Sequence, residues 1–275
     1  MISLKELKYV GDFANKAPYP GDRYANETFE DMITTFEKYQ KNYKGNDYSI
    51  IFSDSSEINF EILESNVCHM LGIDYSALTS GYYNNFLLDV LGIDKTSEKI
   101  TSYGIVQSLL DNYEKVIKYD SSNSNRAINY YKARIKCAIF DKMINFEKFN
   151  FGKLDTKDES KLLFTPSDEA ICPYFLIRLN PDSNSKYFVS SLMAPERNQI
   201  ASYFSYSASI PTQLIIDNKH QMLTKLEATP KEKIELLNMY KTIILSSGLD
   251  NKLDISGDYL STLAELDRKQ KRKIL

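Results

Sequence analysis

Only two of the 275 residues are histidines, and one lies in a context suited to proton transfer. His69 falls in Glu64-Ser-Asn-Val-Cys-His-Met-Leu-Gly-Ile-Asp74, directly after the alternating stretch Ile58, Phe60, Ile62. Imidazole titrates near neutrality, so it can take a proton from a nucleophile and return one to a leaving group. A histidine beside Met70 and Leu71 also serves as a plain packing residue, and both readings stand at this point. His220, in Asp217-Asn-Lys-His220, falls in polar, turn-like sequence and reads as exposed.

A second set of chemistry-bearing residues is cationic. Arg126, Lys132, Arg134, Lys136 and Lys142 share the segment from 125 to 145. Arginine can grip a phosphate through two parallel N–H bonds, and lysine can act as a point charge. The same charges would equally line a solvated helix face. Third is the hydroxyl-rich run from Ser202 to Ser209, whose hydroxyls can hold a phosphate or simply cover the wet face of an edge strand.

Composition removes other chemistries. The ten glycines form neither GxGxxG nor GxxxxGK[ST], so no loop is expected to cradle a nucleotide in the usual way. With two histidines so far apart, histidine-rich zinc chemistry is not expected, and neither a metal nor a cofactor is assigned. A metal-dependent DNA nuclease would need convergent carboxylates. Pro181-Asp182 and Glu159-Ser160-Lys161 occur in the wrong order and in turn-like sequence, so this is only a third reading. Apolar runs are far shorter than the about 18 residues of a membrane span, and no apolar leader is visible at the N-terminus. Cys68, Cys137 and Cys172 are odd in number and widely spaced, and read as reduced core residues of a cytoplasmic protein. The abundance of Asn, Lys, Ile and Tyr suggests an AT-rich bacterial or phage genome. At a net charge of −3, any nucleic-acid contact must be a local basic patch.

The elements that must position these residues follow from periodicity. Phe29, Met32, Ile33, Phe36 and Tyr39 form one stripe of a helix over about 27–41, with Asn26 as its cap. Strands are expected over 47–53 and 57–63, joined by Asp54-Ser55-Ser56. Helices follow over 64–71 and 76–91. The Leu-Gly-Ile-Asp that ends each reads as a C-cap, glycine taking the left-handed conformation and isoleucine packing back. Further helices are expected over 102–118 and 125–145, then a charged turn at 155–160. Strands are expected over 161–165, 172–179, 186–193, 199–206 and 221–227. Two helices end the chain: one from Pro230, capped by Thr229, and one from about Asp258 into the basic run Arg268–Lys273. This order predicts an α+β fold, with a mostly antiparallel sheet of about five to seven strands, several helices and extra C-terminal helices. The expected domains are an N-terminal helical extension (1–45), an α+β core (46–228) and a C-terminal helical pair (229–275).

Several short motifs occur in a suggestive order. Asp47-Tyr-Ser-Ile-Ile-Phe52 and Ile58-Asn-Phe-Glu-Ile62 lead into Cys68-His-Met-Leu-Gly-Ile73. Later come an arginine-bearing helix, Tyr174-Phe-Leu-Ile177, Tyr187-Phe-Val-Ser190 and Ser202-Tyr-Phe204. Over about residues 40–226 this resembles a phage-type group among the barnase–EndoU–colicin–RelE-like nucleases, which begins strand–strand–His-Leu-Leu-Gly-Leu. Cys68 and Met70 beside the histidine, and Tyr203 in place of a phenylalanine, depart from that pattern. The resemblance implies a metal-independent endoribonuclease, a toxin or phage-defence effector, in which the ribose 2′-hydroxyl attacks the adjacent phosphate. His69 and Ser202 carry over by motif, as the proton-transfer and phosphate-binding residues. Physical reasoning adds Arg134 or Arg126, with Lys132, for the phosphate charge. Tyr130, Tyr131 or Tyr203 would stack on an unpaired base. The partners expected are RNA and a protein antitoxin or inhibitor. The competing class is a non-enzymatic interaction protein, an inhibitor or antitoxin-like module whose tyrosine-rich face meets a partner.

Overall fold

Helices and strands segregate into two units, each discontinuous in sequence: Met1–Lys44 with Leu63–Lys142, and Gly45–Ile62 with Met143–Leu275. The fold is that of a computed structural model. It describes residues 25–73, 90–93, 101–122, 128, 130–148, 151–156, 160–164, 173–181, 186–193, 204–218 and 223–247. The partition differs from the expected one. The N-terminal helix clusters with residues 63–142 instead of standing apart as an extension, because its apolar stripe requires a helical partner.

The helical unit contains α1 (Ala25–Asn42), α2 (Glu64–Met70), α3 (Ser102–Asp111), α4 (Tyr113–Ser122) and α5 (Tyr130–Met143). On α1, Phe29, Met32, Phe36 and Tyr39 are buried, as their spacing requires. The Phe29 ring lies 5.8 Å from both Tyr113 and Tyr130, and the Thr28 hydroxyl donates to the Tyr130 carbonyl at 3.1 Å. The single helix expected over 102–118 is two. Asn112 leaves the helical conformation between them, and its side-chain amide donates to the Ser108 carbonyl at 2.9 Å, closing α3. Asparagine competes for backbone partners in this way wherever a helix can break.

α2 ends in a Schellman motif. Gly72 N–H donates to the His69 carbonyl at 3.0 Å and Ile73 N–H to the Cys68 carbonyl at 3.3 Å, with Gly72 at φ +98° and Ile73 buried. A Cβ on Gly72 would lie 3.0 Å from the Ala133 Cα of α5. The glycine is therefore required twice, for its backbone angle and for this close approach.

The second unit is built on one mixed sheet, of nine strands among the described residues, in the order β7-β3-β4-β5-β6-β2-β1-β8-β9. The strands are β1 (Asn46–Phe52), β2 (Glu57–Glu61), β3 (Gly152–Thr156), β4 (Lys161–Phe164) and β5 (Tyr174–Leu179). They continue with β6 (Tyr187–Met193), β7 (Phe204–Ser209), β8 (Pro211–Asn218) and β9 (Leu223–Glu227). Every pairing is antiparallel except β2 with β6. The α+β class and the antiparallel character match expectation, but the strand count exceeds the expected five to seven. β3 carries one large apolar residue, Leu154, and falls partly where a charged turn was expected. β8, over a stretch where no strand was expected, begins at Pro211, and proline is allowed at the first position of a strand.

The inner face of β1 and β2 presents Tyr48, Ile50, Phe52, Ile58 and Phe60, all buried. Phe146, on a short 3-10 turn (Phe146–Lys148), is the hub of an aromatic cluster. Its ring lies 4.9 Å from Tyr48, 5.3 Å from Phe60, 5.5 Å from Phe151 and 5.8 Å from Phe175. Each such ring contributes about 1.5–3 kcal/mol through burial alone. After the sheet, α6 (Pro230–Ser247) starts with the expected cap: Thr229 N–H donates to Glu232 Oε2 at 2.7 Å, and Glu232 N–H to Thr229 Oγ1 at 3.3 Å. Among the described residues no helix is long and apolar enough to cross a membrane.

Candidate functional site

His69 occupies the last turn of α2, where Val67, Cys68 and Met70 are buried and His69 itself is exposed. Both ends of this short helix are pinned. At the start, the Glu64 carboxylate accepts from Gln40 Nε2 at 2.8 Å and the Tyr103 hydroxyl at 2.8 Å, and pairs with Lys44 Nζ at 2.6 Å. Burial pushes the Glu64 carboxyl up, but these bonds outweigh it and hold it below the ordinary range, so Glu64 is a fixed anion. The Tyr103 hydroxyl is pushed upward by burial and by that same carboxylate, which keeps it a donor. At the other end, the Schellman closure fixes His69 through its carbonyl. An exposed imidazole on an anchored helix can exchange protons with a bound substrate without the element moving.

The cations of α5 are placed otherwise than expected. Residues 133–140 are buried without interruption, so this stretch has no solvated face. The Arg134 side chain is 10% exposed, and its guanidinium pairs with Glu27 and, at 3.3 Å, with Asp31, both on α1. The side chain expected to hold a substrate phosphate is thus buried against two carboxylates of this chain, and removing them would leave buried charge unpaired. Tyr130 is buried too. At 2% exposure, packed on Phe29, its ring has no face open to a base. Lys132 and Tyr131 lie on α5, with side chains outside the described residues. Arg126, Ser202, Tyr203 and His220 lie outside the described residues altogether, as does Cys172. Cys68 and Cys137 are free and buried, and burial pushes the Cys68 thiol up to about 12, so neither is a ready nucleophile.

The sheet carries two polar constellations that residue patterns did not reveal. One surrounds the β1–β2 turn, where Ser55 is held at φ +63°. Asp54 Oδ2 accepts from Ser209 Oγ at 2.6 Å and Oδ1 from Ser56 Oγ at 2.5 Å. Lys153 Nζ lies 2.8 Å from Ser56 Oγ, 3.3 Å from Asp54 and 3.5 Å from Asp155. The Lys153 side chain is only 4% exposed, and its ammonium sits 5.0 Å above the Phe52 ring. Burial raises the Asp54 carboxyl, but the hydrogen bonds from Ser209 and Ser56 and the Lys153 charge prevail and hold it at about 2. With two aspartates and Ser56 beside it, the lysine ties β3 to the β1–β2 turn.

The other constellation lies on the outward face of β2, β1, β8 and β9. Register places Asp47 directly between Glu61 and Asp217. Lys186 Nζ, just before β6, bonds Asp47 at 2.7 Å and Glu61 at 3.1 Å. Burial alone would lower the Lys186 pKa, but bonds and charges from both carboxylates raise it, so it stays an ammonium. Beside this row Ser49 Oγ bonds Glu57 at 2.5 Å. Asp47, Ser49, Glu57, Lys186 and Asp217 line a hollow of about 510 Å³, with Glu61 beside it. The alternation of Glu57, Asn59 and Glu61 marked a wet face in the sequence, but only the strand order brings Asp47 and Asp217 beside it. Among the described residues no three His, Cys, Asp or Glu side chains converge as metal ligands. Comparison with protein-family models, characterised proteins and solved structures finds no match to this chain.

Proposed function

We propose that the chain is a metal-independent endoribonuclease in which His69 transfers the proton. The observation that carries this reading is the exposed imidazole on a helix anchored at both ends, with its immediate neighbours buried. His69 would take the proton from the ribose 2′-hydroxyl as its oxygen attacks the adjacent phosphate. The 5′-oxygen of the next nucleotide would leave as it gains a proton, producing a 2′,3′-cyclic phosphate. With Arg134 engaged by Glu27 and Asp31, phosphate binding in this proposal falls to Arg126 and Lys132. The motif order from Asp47 to Ser202, which resembles that of the phage-type nucleases, supports the same chemistry.

The test is incubation of the protein with total RNA and with plasmid DNA, each with EDTA or with Mg²⁺. The proposal expects RNA cleavage that survives EDTA, yields cyclic phosphate ends and falls at least about 100-fold in His69→Ala, the usual weight of a general base. Equal activity in wild type and His69→Ala, or no cleavage, overturns it. Cleavage of DNA alone, only with Mg²⁺, would point to a metal-dependent nuclease. A second reading, a non-enzymatic interaction protein, is favoured by the acidic hollow on the sheet.

A further inference from the structure

We infer that the hollow on the outward face of β2, β1, β8 and β9 docks a lysine- or arginine-rich extended segment of a partner polypeptide. The argument starts from register. Glu61, Asp47 and Asp217 stand side by side on three adjacent strands, where opposed side chains lie about 4.5–5.5 Å apart at Cβ and like charges are destabilising. Lys186 answers Asp47 and Glu61. Asp217, at the far end of that row, and Glu57, further along β2, are exposed and have no ion pair among the described residues, although Glu57 accepts from Ser49 Oγ at 2.5 Å. On β9, Lys225 and Glu227 carry opposite charges, which leaves, among the described residues, Asp47, Glu57 and Asp217 in the hollow and Glu61 beside it against the one ammonium of Lys186. This charge repels RNA, so the face fits a different ligand from the one proposed for His69.

The remaining lining specifies the occupant. Leu223 is 66% exposed at the rim, and Ile215 lies opposite Lys225 in the same row. Apolar patches beside unanswered carboxylates suit side chains with an aliphatic stem and a cationic head, which lay the stem on Leu223 and Ile215 and the head on Asp217 or Glu57. The hollow, of about 510 Å³, has room for more than one such side chain. β9 also ends the sheet order, giving an extended segment a main-chain edge to align with.

The probe is a short fluorescein-labelled peptide of alternating lysine and serine, followed by anisotropy with the full chain at about 0.05 M salt, where exposed pairs are least screened. Asp217→Lys with Glu57→Lys should weaken binding at least about tenfold, two exposed attractions having become repulsions. Glu30→Lys with Glu114→Lys, an equal charge change on exposed positions of α1 and α4, should weaken it less than about twofold. The neutral pair Asp217→Asn and Glu57→Gln should act in the same direction as the lysine pair, which guards against misfolding, with circular dichroism as the check. His69→Ala should bind as wild type does, so loss of ribonuclease activity and loss of docking are separable. The inference is overturned if both lysine pairs weaken binding alike, if no peptide binds, or if spermine displaces the peptide stoichiometrically. It is also overturned if changing Arg268, Lys269, Lys271, Arg272 and Lys273 to glutamine tightens peptide binding, because the chain's own basic run would then be the occupant.

Discussion

Replacing Lys153 by methionine keeps the volume of the side chain and removes the one ammonium between Asp54, Ser56 and Asp155. Breaking a fully buried pair from one side costs about 3–5 kcal/mol. Here the surviving carboxylates keep access to water, with Asp54 23% and Asp155 22% exposed, and Asp155 retains Lys161 at 2.7 Å. The expected loss is therefore about 2–3 kcal/mol, below that range because the stranded charges can be hydrated. Asp54 makes a contribution of its own, owed first to the hydrogen bonds from Ser209 and Ser56 and least to the charge of Lys153. A carboxyl ionising at about 2 in the folded chain and at 3.8 when unfolded contributes about 2 kcal/mol at neutral pH. Because the folded value is depressed, this contribution is complete above pH 3.8 and is lost as pH falls towards about 2. In Lys153→Met the window narrows from its acid end, as the folded carboxyl moves back towards 3.8. Urea unfolding of wild type, Lys153→Met, Asp54→Asn and the double variant, at pH 7 and across the acid range, measures all of this. The double variant should lose less than the sum of the singles, by about 1–2 kcal/mol of coupling. Additive losses, or a Lys153→Met loss below about 0.5 kcal/mol, would refute the role of Lys153 in tying β3 to the β1–β2 turn.

Three further outcomes test the elements around the candidate site. Gly72→Ala should destabilise the chain by about 2 kcal/mol or more, since φ +98° and the 3.0 Å approach to Ala133 each penalise a Cβ; unfolding by urea reads this directly. Thr229→Ala should cost about 1 kcal/mol through loss of the capping pair with Glu232, with Thr229→Ser restoring most of it. Arg134→Met should lower stability by about 1–3 kcal/mol because Glu27 and Asp31 lose their common partner. If RNA cleavage is found, its rate per folded molecule should be unchanged in that variant, and a 100-fold fall would return Arg134 to the active site.

Local order was the most legible part of this sequence. The stripe on α1, the alternation in β1 and β2, the glycine-isoleucine closure of α2 and the Thr229 cap all follow from side-chain periodicity or backbone chemistry within a few residues. β3 was not legible because its second residue, Lys153, is buried beside partners about 100 positions away, Asp54 and Ser56. No local pattern announces a buried lysine. β8 was obscured by Pro211 at its start, although Leu214 and Ile216 alternate with Ile215 and Asp217 as a strand should. The row Glu61–Asp47–Asp217 depends on β1 lying between β2 and β8, a sheet order that no single strand encodes.

The contrast between His69 and Arg134 explains why residue type served one better than the other. Arginine and lysine suggest anion binding only until their intramolecular partners are counted. In the described residues Lys38, Lys44, Arg134, Lys153, Lys161 and Lys186 each pair with a carboxylate of this chain. An arginine on a helix whose neighbours include Ala133, Ile135 and Cys137 had to be buried with them, and burial of a guanidinium requires acids such as Glu27 and Asp31. His69 faces no such demand. Its helix satisfies its own burial through Val67, Cys68 and Met70, and the histidine position is exposed. The same reasoning turns around on the sheet. There the unanswered groups are carboxylates, Asp217 and Glu57, and the chemistry they invite is cationic. A net charge of −3 conceals this division of labour: the buried or half-buried cations Arg134, Lys153 and Lys186 are committed to carboxylates of this chain, and among the described residues the surplus lining the sheet hollow is acidic.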